Sequence, residues 1–257
     1  MQDRKKANRL YLILTFSISW LCWLVVAGIT HFTKISLFSP IALPLYSIGA
    51  AGPMISALIV KKKRSSAKEY REFKKKIINF KQPLTAYFLV FFMGWSFCFF
   101  PVLLGGSQQI GPVYIFLQQL PVMIFFGGGL EEVGWRGYLL PELQHRFSSF
   151  WSTCILSVIW TVWHLPLWLV KGSGQDTTNL IGFMLFIGSM AFLLTLLWNR
   201  YESIVLCMLL HASFNSFTDV YPADFSNLWL SSALLLVCLF FYWGTTRFLL
   251  QSKIKQG

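Results

Sequence analysis

Glu131 and Glu132 stand side by side in the stretch from Pro121 to Leu140, which is otherwise apolar enough to lie in a membrane. A carboxylate in hydrocarbon costs about 2.5 kcal/mol or more, so two adjacent ones need a reason. Intramembrane ionisable residues mark functional sites when partners are at hand. Arg136 follows four residues after Glu132, and His164 and His211 sit in other apolar stretches. Groups of these types move protons, which leaves acid–base catalysis and an ion or proton relay as the two chemistries to weigh.

Helical spacing sorts the polar groups. Glu132 and Arg136 share a face and can pair. Glu131 lies about 100° around from Glu132, so that pairing leaves it free for chemistry. Trp160 and His164 are four apart, and so are His211 and Asn215. Pro166 should loosen the helix just beyond His164. Gly127, Gly128 and Gly129 precede the glutamates, and glycines in a membrane helix admit a neighbouring helix or a substrate backbone. Each residue also has a structural reading: a lone His or Asn in an apolar helix is commonly an interhelical hydrogen-bond partner. The joint occurrence on three spans favours a site. No Asp, Glu, Lys, Arg or His lies near the centre of the other five expected spans.

The elements that must position these groups follow from composition. The 257 residues are 55% hydrophobic and 12% charged, against roughly 25% charged in a soluble domain. A span needs about 20 apolar residues, and in hydrocarbon such runs must be helical. Eight are expected, near 11–30, 41–60, 84–104, 121–141, 150–170, 180–198, 203–219 and 227–248. The chain is therefore expected to be an all-α, polytopic membrane bundle. It forms a single domain over 1–257, with residues 121–218 as its core.

The formal charge of +12 is distributed as a membrane topology signal. With the N-terminus inside, nineteen of the 22 Lys and Arg fall on the inner side: the Arg4–Arg9 group, ten between Lys61 and Lys81, Arg146, Arg200, and Arg247, Lys253 and Lys255. Lys34 and Lys171 alone fall on the outer side, and Arg136 lies within a span. This asymmetry places both termini in the cytoplasm and argues against a nucleic-acid partner. The basic stretch Lys61–Lys81 reads as a helical segment on anionic lipid. The first apolar run is too long for a signal peptide and is read as a retained span.

The three motifs Glu131-Glu-Val-Gly-Trp-Arg136, Trp160-x-x-x-His164 and His211-x-x-x-Asn215 together resemble the CPBP intramembrane protease family. This family includes type II CAAX prenyl endopeptidases and bacterial bacteriocin-processing or immunity proteins. Trp160 stands where Phe is common in that family. The resemblance implies peptide-bond hydrolysis at the plasma membrane, on a membrane-associated and potentially lipidated protein or peptide. It implies Glu131 and His164 as the pair that activates water, His211 and Asn215 as oxyanion stabilisers, and Glu132 and Arg136 as support. No cofactor is expected on this reading. The alternative is a zinc site on Glu131, His164 and His211, with Glu132 as base. A non-catalytic adaptor or bacteriocin immunity protein is the competing role. A transporter is disfavoured by the lack of internal repeats and of a continuous polar path.

Overall fold

The computed structural model describes residues 2–222, 224 and 227–254, without the side chains of 2 and 247–254. Lys255 of the basic C-terminal tail lies outside the described residues. Among them there is no β-strand, and the architecture is an all-α bundle. Five helices are long and apolar enough to cross a membrane: Asp3–Phe32, Leu84–Leu103, Ser149–Leu169, Leu180–Tyr201 and Leu228–Thr246. Residues Ala42–Ala50 and Gly52–Arg64 make a sixth crossing if the pair, bent by 53°, counts as one span. The bend falls at Ala51–Pro53, where Pro53 at the start of the second helix lacks an N–H for the preceding turn. Many large apolar side chains stay exposed on the outside of the bundle, among them Phe88, Phe92, Trp229 and Phe240. Such a surface is stable against lipid.

Among the described residues, twelve α-helices run in chain order: α1 (Gln2–Phe32), α2 (Ala42–Ala50), α3 (Gly52–Arg64), α4 (Ala67–Ile77), α5 (Leu84–Leu103), α6 (Ile115–Phe125), α7 (Glu132–Gly134), α8 (Leu140–Gln144), α9 (Ser149–Trp163), α10 (Leu180–Tyr201), α11 (Ile204–Thr218) and α12 (Leu228–Ile254). Helix α11 sits inside the bundle, packed against α5, α6 and α10. The α1–α3 hairpin closes over α7 from the other side.

The expected helical stretch 61–81 divides at Ser65. Helix α4 then starts on a capping box: Ser66 N–H donates to Glu69 Oε2 at 2.8 Å, and Glu69 N–H donates to Ser66 Oγ at 3.2 Å. Those bonds hold the Glu69 carboxyl below the usual carboxylate range. Phe73 is the buried anchor of α4, while its lysines face outward.

The expected continuous helix over 121–141 is corrected by the structure. Helix α6 already begins at Ile115 and stops at Phe125. The backbone breaks through Gly128, whose φ of +105° lies in the left-handed region that glycine tolerates. It restarts as a 3-10 turn, Gly129–Glu131, continues through α7, widens into a π-turn, Trp135–Leu139, and closes with α8. Three consecutive glycines supply the freedom for the break, and a π-turn inside a helix is a frequent mark of a functional site. Gly134 lets the backbone of Pro53 on α3 lie directly against this segment, leaving no room for a Cβ.

Candidate active site

The restart after Gly128 puts both glutamates in the first turns of a buried helix. Glu131 is 5% exposed and Glu132 is fully buried. Glu132 Oε1 accepts from Arg136 Nη1 at 2.9 Å and from His211 Nδ1 at 2.8 Å. The Arg136 guanidinium also lies 4.6 Å from the Trp160 ring centre. Glu132 is thus the hub that ties Arg136, on its own helix, to His211 on α11.

Glu131 faces elsewhere. Its Oε2 accepts from Trp160 Nε1 at 2.9 Å and from Trp135 Nε1 at 3.3 Å. Indole N–H groups donate only, so the two tryptophans fix this oxygen as an acceptor. Oε1 is left without a hydrogen-bond partner among the described residues. Glu131 lines a chamber of about 120 Å³ together with His164, His211, Asn215, Gly128 and Trp160.

The two histidines are oriented from their far sides. His164 Nδ1 lies 2.8 Å from the carbonyl oxygen of Trp160. A carbonyl can only accept, so Nδ1 carries the proton and Nε2 of a neutral ring is left as an acceptor. His211 Nδ1 likewise donates to Glu132, and its ring packs edge-on against Trp160 at 5.2 Å. Asn215, one turn after His211, donates its amide to the Gly127 carbonyl. A Cβ built on Gly128 would collide with His211 Nε2 and crowd Asn215 Nδ2. Gly128 therefore serves both its own backbone and the room around these two groups. Gly128→Ala should cost about 1–3 kcal/mol in backbone strain and displace the His211 ring. Thermal unfolding together with a cleavage assay checks this, and a variant with wild-type stability and rate would refute it.

The sequence-predicted residues therefore come together: Glu131, His164, His211 and Asn215 line one chamber, and Glu132 with Arg136 lies behind it. Gly127 and Gly128 border that chamber, whereas Gly129 is pressed against the backbone of Ile124. Trp160 lines the chamber and also donates to Glu131. Spacing analysis missed Trp135, although it stands four residues after Glu131 and that interval was available as a signal. It also missed Trp23 and Tyr46, which reach the chamber from the α1–α3 hairpin. Trp23 stacks near His164 at 6.4 Å and packs on Trp163 at 4.5 Å. Nothing in their local sequence marks them.

For the zinc alternative, the atoms left open are Oε1 of Glu131 and Nε2 of His164 and His211. Oε2 of Glu131 is occupied by two indoles, and the Nδ1 atoms of both histidines are engaged. Among the described residues, no group of three or more His, Cys, Asp or Glu is placed to hold a metal ion.

Comparison with known proteins supports the same grouping. The family model of Rce1-like type II CAAX prenyl endopeptidases matches residues 113–217, a segment that contains all three motifs. CAAX prenyl protease 2 of Methanococcus maripaludis is 28% identical over 226 residues, covering 80% of this chain and 82% of that protein. Membrane-embedded and all-helical, the chain is similar over its motif-bearing segment to the Rce1-like type II CAAX prenyl endopeptidases.

Proposed function

We propose that this protein is an intramembrane endopeptidase that hydrolyses a membrane-associated protein or peptide with water activated by Glu131. The observation that carries this reading is the chamber itself, where Glu131 and His164 meet His211 and Asn215 from three separate segments of the chain. His164 Nε2 accepts one hydrogen of the attacking water. Glu131 Oε1 takes the other as the oxygen attacks the carbonyl carbon of the scissile bond. Negative charge then builds on the carbonyl oxygen, and the Asn215 amide with the His211 ring would stabilise it. Collapse of the tetrahedral species breaks the C–N bond, and Glu131 returns its proton to the leaving nitrogen. Glu132 accepts from His211 Nδ1 and so fixes the orientation of the ring. The name of the archaeal relative points to a CAAX-type, lipidated substrate.

The direct test is cleavage of a lipidated CAAX reporter by detergent-purified protein, with metal content measured on the same sample. Cleavage without stoichiometric zinc supports the glutamate mechanism. Cleavage that follows bound zinc would make Glu131, His164 and His211 ligands instead. Failure to cleave this and other membrane peptides would turn the fold towards an adaptor or bacteriocin-immunity role.

The indole clamp has its own consequence. Trp160→Phe keeps the ring that packs on His211 and removes the N–H that fixes Glu131. A hydrogen bond to a charged group contributes about 1.5–3 kcal/mol, so kcat should fall about tenfold or more with KM little changed. An unchanged kcat would show that Trp135 and packing suffice to orient Glu131.

A further inference from the structure

Gln175 is a polar residue of the chamber that belongs to none of the three motifs. It lines both the chamber around Glu131 and a wider vestibule of about 680 Å³ beside it. Its Oε1 is buried and has no hydrogen-bond partner among the described residues. The neighbouring polar groups differ in this. Glu131 Oε2 accepts from two indoles, Nδ1 of His164 and of His211 is engaged, and the Asn215 amide donates to Gly127. Buried amide oxygens are almost always paired, so an unpaired one on a residue that lines a reaction chamber needs a reason.

Several bonds hold Gln175 in place. It opens a 3-10 turn, Gln175–Thr177, entered through Gly174 at a φ of +85°. That φ lies in the region glycine tolerates, so the backbone itself sets the approach to Gln175. The Asp176 carboxylate closes the loop by accepting from Gly172 N–H at 2.9 Å and Gly174 N–H at 3.1 Å. The Gln175 carbonyl accepts from Thr178 N–H at 3.0 Å and from Thr178 Oγ1 at 2.9 Å. The loop is bonded in turn to the 3-10 segment Leu165–Leu169, which directly follows His164. Trp168 Nε1 donates to the Thr178 carbonyl at 2.9 Å, and Ser173 Oγ donates to the Leu167 carbonyl at 2.8 Å. Gln175 is thus carried on the same structural unit as His164. Its ordering is complete before any substrate arrives, which is what a preorganised contact requires.

We infer that Gln175 is a substrate-binding residue: its side-chain amide hydrogen-bonds a backbone peptide group of the substrate close to the scissile bond. A primary amide matches a peptide group, since its carbonyl accepts a peptide N–H and its NH₂ donates to a peptide C=O. Nearly every residue of a substrate carries those groups. The contact therefore fixes the register of the chain on Glu131 and not its side-chain sequence. It is made in the ground state and the transition state alike, so its loss should raise KM and leave kcat nearly unchanged. This role rests on the hydrolytic reading of Glu131, and the two are separable by experiment.

The test is a double cycle of binding with the full-length protein in detergent. A lipidated CAAX reporter peptide is made in its all-amide form and as a set of esters. In each ester one backbone N–H, other than that of the scissile bond, is replaced by oxygen. This removes the N–H and weakens the carbonyl of the same linkage as an acceptor, so it reads either contact. Binding is measured on Glu131→Gln protein, which cuts slowly on the hydrolytic reading. The same protein carrying Gln175→Met, a side chain of similar length without the amide, is measured beside it. On the parent, the ester at one position should weaken binding about threefold to tenfold, the range of one neutral hydrogen bond. Gln175→Met should weaken the all-amide peptide by a similar factor and be indifferent to that ester. With Glu131 intact, Gln175→Met should raise KM by the same factor at nearly unchanged kcat. Losses from ester and Gln175→Met that multiply at every position would overturn the proposal, and a loop merely disturbed by the substitution gives that pattern. So would a Gln175→Met protein that binds as its parent does, or no binding of any reporter. Position-specific coupling without cleavage by the wild type would keep the contact and remove the hydrolytic reading. Cleavage without that coupling would do the reverse.

Discussion

Glu131→Gln lowers kcat by about 10²–10⁴-fold if Glu131 is the general base, with insertion and thermal stability close to wild type. The expectation of normal folding comes from the contacts. Among the described residues Glu131 makes no ion pair, and its Oε2 accepts two indole hydrogens, at 2.9 and 3.3 Å. A glutamine carbonyl oxygen can accept the same bonds at nearly the same volume. What the amide lacks is the capacity to take a proton from water, so the loss falls on kcat more than on KM. Purified variant and wild type, compared on the same reporter with their melting curves, decide the matter. A Gln variant that cleaves at more than a tenth of the wild-type rate would remove Glu131 from the chemistry.

Arg136→Met should destabilise the protein by about 3–5 kcal/mol, the range found when one partner of a buried ion pair is removed. Both partners are fully buried, and the 2.9 Å bond from Nη1 is what offsets the charge of Glu132. Without it, His211 at 2.8 Å is left to balance a carboxylate that has no access to water. The loss should appear as a lowered melting temperature in detergent. It should shrink when Glu132→Gln is added, because the stranded charge is then removed. Activity should fall in both, since Glu132, which orients His211, is no longer held by Arg136 in the first and no longer carries a charge in the second. A single variant less than about 1 kcal/mol weaker than wild type would mean that Glu132 is not ionised in the folded protein.

These two outcomes draw on information of different origin. The division of labour between adjacent glutamates was legible from spacing. An interval of four puts Glu132 and Arg136 on one face, and a step of one turns Glu131 away from them. The same interval grouped Trp160 with His164 and His211 with Asn215. It overlooked Glu131 and Trp135, which are equally spaced, because a tryptophan in an apolar run carries no charge to draw notice. The expectation of an unbroken helix through 121–141 failed for a related reason. Hydropathy measures whether a segment can lie in hydrocarbon, and it is blind to a φ of +105° at Gly128 or to a π-turn at Trp135–Leu139.

The sequence by itself determined the helical class, the membrane setting, the polar groups available for chemistry and the pairs that local helical geometry makes. Those properties depend on composition and on intervals of three or four residues, which a single helix enforces without help. Tertiary structure alone decided that Glu132 bonds His211 across 79 positions of chain. It also decided that Trp160 clamps Glu131, and that Trp23 and Tyr46 of the first hairpin help wall the chamber. Such contacts are set by how the helices pack, and packing is settled by close approaches such as Gly134 against Pro53, for which no local period in the chain provides a sign.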